Sequence, residues 1–288
     1  MIGWGSSNSG EATGIIGGST NGIVTVAGQA LSNIVSVACG SAHGLALKGD
    51  GTVIAWGWNF YGQATVPGGL SNVTAIAAGE NFSVALKQDG TVTAWGNNGD
   101  YQLTNTPMSL NNVVAVSAGT THIVALKNDD TVTGWGVPKA PLDLSNIVAV
   151  ATGSGYYSDN LALKKDGTVI EWGANGDKIP VPDGLSSVVA IATGESYCMA
   201  LDKKGIVTEW NNRNNQASEI LSNVTAIASY GNYNLALKDD GTVVGWGHGR
   251  FYPRLVPAGL SNIVTIAVGG DFCLAITTNR AVAEKFMH

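Results

Sequence analysis

Cysteine, charge and long apolar runs are all scarce in this chain of 288 residues. Its three cysteines are an odd number, and no Cys-x-x-Cys pair occurs, so zinc finds no ligand set of the usual spacing. Cys39, Cys198 and Cys273 fall in strand-like runs, where a free thiol behaves as a small hydrophobe. Charged residues make up 12%, against a usual share of roughly 25%. The formal net charge is −6 and there is no basic run. Nucleic acid is therefore not an expected partner, because neutralising phosphates needs clustered Lys and Arg. No apolar stretch approaches the roughly 20 residues of a membrane-spanning helix, so no membrane insertion is expected. Met1 is followed at once by a strand-like run, so no signal peptide is expected in this stretch. Catalytic signatures are missing as well: no Gly-x-Ser-x-Gly elbow, no His-Glu-x-x-His and no phosphate loop. The expectation is a non-enzyme with no catalytic residue, no metal and no cofactor.

A repeat is what the chain does have. Residues 70–99 show its unit: a leucine, Ser-Asn, a β-branched run, a glycine-containing loop, a second apolar run, Asp89-Gly90, a third run, and Trp95-Gly96. The opening leucine recurs at Leu31, Leu70, Leu110, Leu144, Leu185, Leu221 and Leu260, which by subtraction are 34 to 41 residues apart. Asp-Gly between two apolar runs is the signal of a hairpin with a type I′ turn. The unit reads as four antiparallel strands A to D, the fourth one weak. A period near 40 with four short strands is the signature of a β-propeller blade. Seven starts predict an all-β, seven-bladed propeller of four-stranded blades in one domain, residues 1–280.

The last copy lacks its Trp-Gly. The missing piece stands at the other end of the chain, where Ile2-Gly3-Trp4-Gly5 matches a third strand. Gly10-Glu11-Ala12-Thr13 matches Gly62-Gln63-Ala64-Thr65 and is expected to form a fourth. Residues 2–16 are thus predicted to complete the last blade and close the ring, which leaves no unpaired sheet edge at the join. Residues 17–30 read as an insertion over one side of the first blade, and 281–288 as a tail.

Antiparallel connectivity puts A–B and C–D loops at one face of the ring and B–C turns and D–A links at the other. The B–C turns scarcely vary between copies, whereas the A–B and C–D loops vary in length and chemistry. Seven tryptophans sit at the repeated third-strand position and read as packing: Trp4, Trp56, Trp95, Trp135, Trp172, Trp210 and Trp246. The other aromatics before the tail fall in the variable loops. Those at a recurring place, such as Phe82, Tyr233 and Phe272, together with His43 and His122, read as part of the ring itself. The non-recurring ones are the candidate partner-binding residues: Trp58, Phe60, Tyr61, Tyr101, Tyr156, Tyr230, Phe251 and Tyr252, with Arg213 and Arg250. Large aromatic side chains and arginines gathered on one face are the residue types that dominate binding hot spots.

These motifs resemble those of the regulator-of-chromosome-condensation repeat family: Gly-x-x-His at residues 40–43 and 119–122, Ala-Leu-Lys at 46–48, Asp-Gly-Thr-Val at 50–53, Trp-Gly, Gly62-Gln63 and Val66-Pro67. The resemblance covers nearly the whole chain and is nearest to bacterial members, among them the second-type β-lactamase inhibitory protein. It implies a rigid, monomeric, non-enzymatic scaffold that binds a protein, with a β-lactamase as one partner, and a secreted or cell-surface location. In that inhibitor an acidic residue often follows Trp-Gly. The matching residues here are Trp58, Asn97, Val137, Ala174, Asn211 and His248. Two other readings stand beside it: a glycan-binding module using Tyr and Trp with Asn59, Asn97, Asn98, Asn211, Asn212, Asn214 and Asn215, and a structural domain of a larger bacterial secreted or surface protein. The family's name-giver acts on a small GTPase, but this sequence shows no basic tail and no long wedge loop.

Overall fold

The computed structural model describes all residues except 18–20, 100, 102, 108–109, 138–140, 142–143, 156–158, 174, 196, 212–216, 248–255 and 279–288. The fold is all-β, and no helix occurs among the described residues. Seven A strands recur: Ile34–Cys39, Val73–Ala78, Val113–Ala118, Ile147–Thr152, Val188–Thr193, Val224–Tyr230 and Ile263–Val268. Each pairs antiparallel with the B strand after it: His43–Lys48, Phe82–Lys87, His122–Lys127, Asn160–Lys164, Tyr197–Asp202, Tyr233–Lys238 and Phe272–Thr277. The first six B strands then pair with C strands that end at or just beyond the repeated tryptophan, such as Val53–Gly57 and Val92–Gly96. The A strands touch one another in chain order, and Ile263–Val268 returns to Ile34–Cys39, so the seven sheets stand in a closed cycle.

The seventh sheet takes its C strand from the start of the chain. Ile2–Gly5 lies antiparallel to Phe272–Thr277, with Ile2 opposite Ala275 and Trp4 opposite Cys273. The fourth place in that sheet differs from the expectation. Asn21–Ile23 occupies it, whereas residues 10–13 form a turn, as do the matching residues 62–65. Part of the stretch read as an insertion is therefore sheet, and Thr25–Val26 and Gln29–Ala30 make a two-stranded ribbon after it. Val24 is buried against Val37, Cys39 and Trp56 of the first sheet. Elsewhere a fourth strand is present as Lys178–Ile179 in the fourth sheet and Ala217–Leu221 in the fifth. The turn at 59–65 explains why that segment is no strand. Asn59 accepts from the Ala64 N–H and donates to Thr65 Oγ1, and Gln63 Oε1 accepts from the Tyr61 N–H. Side chains here claim backbone groups that a strand would need.

Two small devices set the register, the first in all seven repeats and the second where a B–C turn follows. The residue before each A strand is left-handed: Asn33, Asn72, Asn112, Asn146, Ser187, Asn223 and Asn262 have φ between 53° and 59°. Asparagine tolerates that region, which accounts for the recurring Ser-Asn. Its carbonyl accepts an N–H from just beyond the B strand, as in Gln88 N to Asn72 O at 2.8 Å. The B–C turn is not type I′, which would need positive φ at two central residues. Only Gly90 is left-handed in its turn, at φ 76°, and its N–H reaches Lys87 O at 3.0 Å or less (2.9 Å). This is the three-residue hairpin loop with glycine at the left-handed place. Asp89 closes it by accepting from the Thr91 N–H at 3.0 Å.

The core lies between sheets. Apolar residues of adjacent sheets share each cluster, for example Phe82, Val84 and Leu86 with Ile123, Ala125 and Trp135. Most tryptophans also carry a bond back to the preceding sheet. The indole N–H donates from Trp56 to Glu11 O, from Trp95 to Gln63 O and from Trp135 to Leu103 O, each at 2.9 Å. In two places a carboxylate replaces the carbonyl: Glu171 Oε2 accepts from Trp210 at 2.8 Å, and Glu209 Oε2 from Trp246 at 2.7 Å.

Candidate functional site

The A–B and C–D loops lie side by side because backbone bonds tie them together. In the first three sheets the N–H after Trp-Gly reaches the A–B loop of its own sheet: Trp58 N to Ala42 O at 2.7 Å, Asn97 N to Asn81 O at 2.9 Å and Val137 N to Thr121 O at 2.9 Å. The first C–D loop carries three exposed aromatic rings. Trp58 is 44% exposed, Phe60 75% and Tyr61 45%. Trp58 stacks on Phe60 with centroids 6.2 Å apart, and Phe60 meets Tyr61 edge-on at 4.9 Å. The bonds of Asn59 and Gln63 described above hold this ridge from beneath, and Gln63 is fully buried. The next C–D loop is built alike: Asn98 Oδ1 accepts from the Thr104 N–H at 3.0 Å, and Asn97 Oδ1 from the Gly99 N–H at 2.9 Å.

Beside the ridge lies a cleft of about 380 Å³ between the second and third sheets. It is lined by Tyr61 and Tyr101 and by polar residues that include Glu80, Asn81, Asn97 and Thr120. Tyr101 is 37% exposed, whereas Thr120 is buried and its hydroxyl has no hydrogen-bond partner. Loss of water around Glu80 raises its carboxyl above the usual range, an effect that a hydrogen bond from Asn81 opposes.

Four of the sequence candidates, Trp58, Phe60, Tyr61 and Tyr101, are thus exposed on one loop face. Tyr230 is not a loop residue. It ends its A strand, is only partly exposed, and packs against the cluster that holds Trp4 and Tyr233. It stands where most other repeats have glycine, and its phenol, hydrogen-bonded to Ser41, is pushed up by burial. Tyr156, Arg213, Arg250, Phe251 and Tyr252 lie outside the described residues. The recurring aromatic and histidine positions open B strands rather than lying in loops: His43, Phe82, His122, Tyr233 and Phe272 are all buried. His43 Nε2 meets Ser83 Oγ of the next sheet at 3.0 Å, and His122 Nε2 meets Asn160 Oδ1. Burial lowers both imidazoles to about 4, so they are neutral packing groups at neutral pH. Thr120 and Asn81 of the cleft escaped the sequence reading, because a short polar loop residue carries no periodic or aromatic signal. The opposite face carries exposed valines at the second residue of five A strands: Val35, Val114, Val148, Val189 and Val264.

Titratable groups also gather inside the wall. Glu171 is fully buried and Asp159 nearly so; they share a hydrogen bond, and Cys198 Sγ lies 3.7 Å from Glu171 Oε1. Burial first, and then the neighbouring Asp159, raises Glu171 to about 7, against the bond from Trp210. All three cysteines are free and buried, and burial pushes their thiols up. Among the described residues no group of three His, Cys, Asp or Glu is placed to hold a metal ion, and no helix is long and apolar enough to cross a membrane.

Residues 34–63 and 73–102 match the model of the regulator of chromosome condensation (RCC1) repeat. The comparison with curated protein sequences returned no match. Among solved structures, yeast RCC1 (Prp20) bound to Kap60 is similar with a TM-score of 0.75 and 18% identity, over 99% of this chain and 90% of that one. Prp20p from Saccharomyces cerevisiae, studied with its binding to Gsp1p and histones, gives 0.74 and 19%, over 99% and 93%. Human WBSCR16 gives 0.73 and 19%, over 96% and 99%. At such identity the likeness shows the fold. Two stretches of the chain thus match the RCC1 repeat, and its fold is similar to that of RCC1-like β-propellers.

Proposed function

We propose that this chain is a non-catalytic, seven-bladed scaffold that binds a protein partner through its A–B and C–D loop face. The observation that carries the reading is the ridge of Trp58, Phe60 and Tyr61. Three large rings are left in water, yet they are held in one arrangement by bonds within their own loop. Such a surface has less ordering cost to overcome on binding than a mobile loop. The closed cycle of seven A strands supports the blade count and the rigidity of the frame. The fold neighbours support the class of partner, since Prp20 was solved bound to Kap60. The two buried histidines support the absence of catalysis, because neither can meet a substrate.

One partner to test first is a class A β-lactamase, with the aromatic ridge set against the rim of the enzyme's active site and blocking entry. The purified chain is titrated against a panel of class A enzymes, and both binding and hydrolysis are measured. Saturable binding that is weakened by Trp58→Ala and Phe60→Ala supports the reading. If no enzyme of the panel binds, the lactamase is discarded, and capture from culture supernatant and cell extract, followed by mass spectrometry, tests the protein-binding reading alone. Capture that is identical with and without the ridge contradicts it.

A further inference from the structure

We propose that the cleft between the second and third sheets is a binding site for an uncharged sugar ring, stacked on Tyr61 or Tyr101 and hydrogen-bonded by Glu80, Asn97 and Thr120. This goes beyond the protein contact above, and the cleft shares Tyr61 with the ridge.

A pyranose has an apolar C–H face and a rim of hydroxyls. The cleft offers both counterparts. Tyr61 and Tyr101 supply exposed rings, and Glu80, Asn81, Asn97, Thr120 and Thr121 supply polar groups. Its volume of about 380 Å³ lies within the range of roughly 300–1,000 Å³ common for small-molecule sites.

The charge of the lining narrows the ligand. Among the described residues neither Lys, Arg nor His lines the cleft, so a phosphate, sulfate or carboxylate meets no cation from them. Glu80 is the one acidic residue among the described residues that line it, and desolvation favours that carboxyl's neutral form. A neutral hydroxyl suits it as a partner better than a bulk anion does.

The second observation is the Thr120 hydroxyl. It is buried and has no partner in the protein, and Thr120 lines the cleft. Leaving a buried hydroxyl unpaired is costly, so such a group needs a reason to be there. The oxygen is closed off from solvent as it stands, so a ligand hydroxyl in the cleft would supply the missing bond once the Thr120 side chain turns to another staggered rotamer. Asn97 is poised in the same sense: its Oδ1 is held by the Gly99 N–H, which turns the amide into a fixed donor. Asn59 and Asn98, by contrast, are engaged in building their own loops, so these two are not ligand groups.

The whole chain is titrated by NMR with the methyl glycosides of glucose, galactose, mannose and N-acetylglucosamine, and separately with their β-linked and α-linked disaccharides. n-Butylammonium serves as a cation probe. The expected result is saturable perturbation at cleft residues by one or more sugars. Tyr101→Ala and Thr120→Val should each weaken it by about tenfold, a loss that corresponds to one well-placed contact. Thr120→Val separates this from a structural role, because removing an unpaired buried hydroxyl should leave Tm unchanged or raise it. Tighter binding of disaccharides than of methyl glycosides points to a longer glycan as the source; equal binding points to a single sugar unit, and both support the proposal. No perturbation by any sugar overturns it. So does sugar binding that ignores both substitutions, or a cleft that takes only the ammonium probe.

Discussion

Glu171 is a carboxyl kept in a place where its charge is unwelcome. Its folded value, about 7, lies above the ordinary value of 4.5. Above pH 4.5 the unfolded chain gives up this proton more readily than the fold does, so the stability tied to it is full below 4.5 and is lost as pH rises through about 7. His43 and His122 act in the other direction. Their folded values of about 4 lie below the ordinary 6.5, so their contribution is present above 6.5 and is lost as pH falls toward 4. Glu171→Gln keeps an oxygen for the Trp210 indole while deleting the titration. The variant's Tm should exceed that of the parent at pH 8, and the difference should shrink and then vanish or reverse near pH 5. A Tm difference that stays constant across this range would show that Glu171 does not titrate as described. None of this was legible in the sequence. The residue before the repeated tryptophan is Gly3, Ala55, Ala94, Gly134 or Gly245 in five copies and Glu209 in another, and only the packed sheets show that Glu171 faces Trp210 and Asp159.

The repeated unit was legible because its devices are local. Ser-Asn before the A strand, Asp-Gly in the B–C turn and Trp-Gly at the end of the C strand each act within a few residues, and all three do structural work in the fold. The type I′ expectation failed because Asp-Gly serves two hairpin loops, and the choice rests on how the flanking Lys and Thr pair. The fourth strand was over-read for a related reason: at 59–65 the side chains of Asn59 and Gln63 capture backbone groups that alternation alone would assign to a ladder. Glycine at the end of the A strand was seen as a loop mark, but its reason is contact between sheets. A Cβ on Gly40 would stand 2.4 Å from Gly79 O, and one on Gly79 would stand 2.6 Å from Gly119 O. Gly79→Ala should therefore lower stability by about 1–3 kcal/mol, the range of overpacking in a tight core, as read from urea unfolding. A loss below a few tenths would mean that neighbouring sheets can separate freely at this level.

At the scale of the whole molecule, the ends of the chain hold each other. The pairing of Ile2–Gly5 with Phe272–Thr277 was readable from the missing Trp-Gly of the last copy. The part played by Asn21–Ile23 was not, since three residues carry too little pattern. Trp4 is 1% exposed, and its truncation to Ala should cost about 3–5 kcal/mol. Deleting residues 1–14 should cost more and broaden the thermal transition, because the seventh sheet then loses its C strand; an unchanged melting curve would contradict closure. The loop face was legible only where aromatics marked it. Trp58, Phe60, Tyr61 and Tyr101 are exposed there, Tyr230 is partly buried at the end of an A strand, and the cleft with Thr120 came from geometry alone. The central claim is that binding belongs to this face and not to the B–C turn face. It is tested most directly by measuring the Kd of one captured partner for the parent, for Trp58→Ala and Phe60→Ala on the loop face, and for Gln88→Ala and Lys165→Ala on the turn face. The account predicts that the ridge substitutions weaken binding by roughly thirtyfold, the loss of an anchor worth about 2 kcal/mol, while the turn-face substitutions leave it unchanged. Binding that survives both ridge substitutions but is lost with a folded turn-face variant would contradict it.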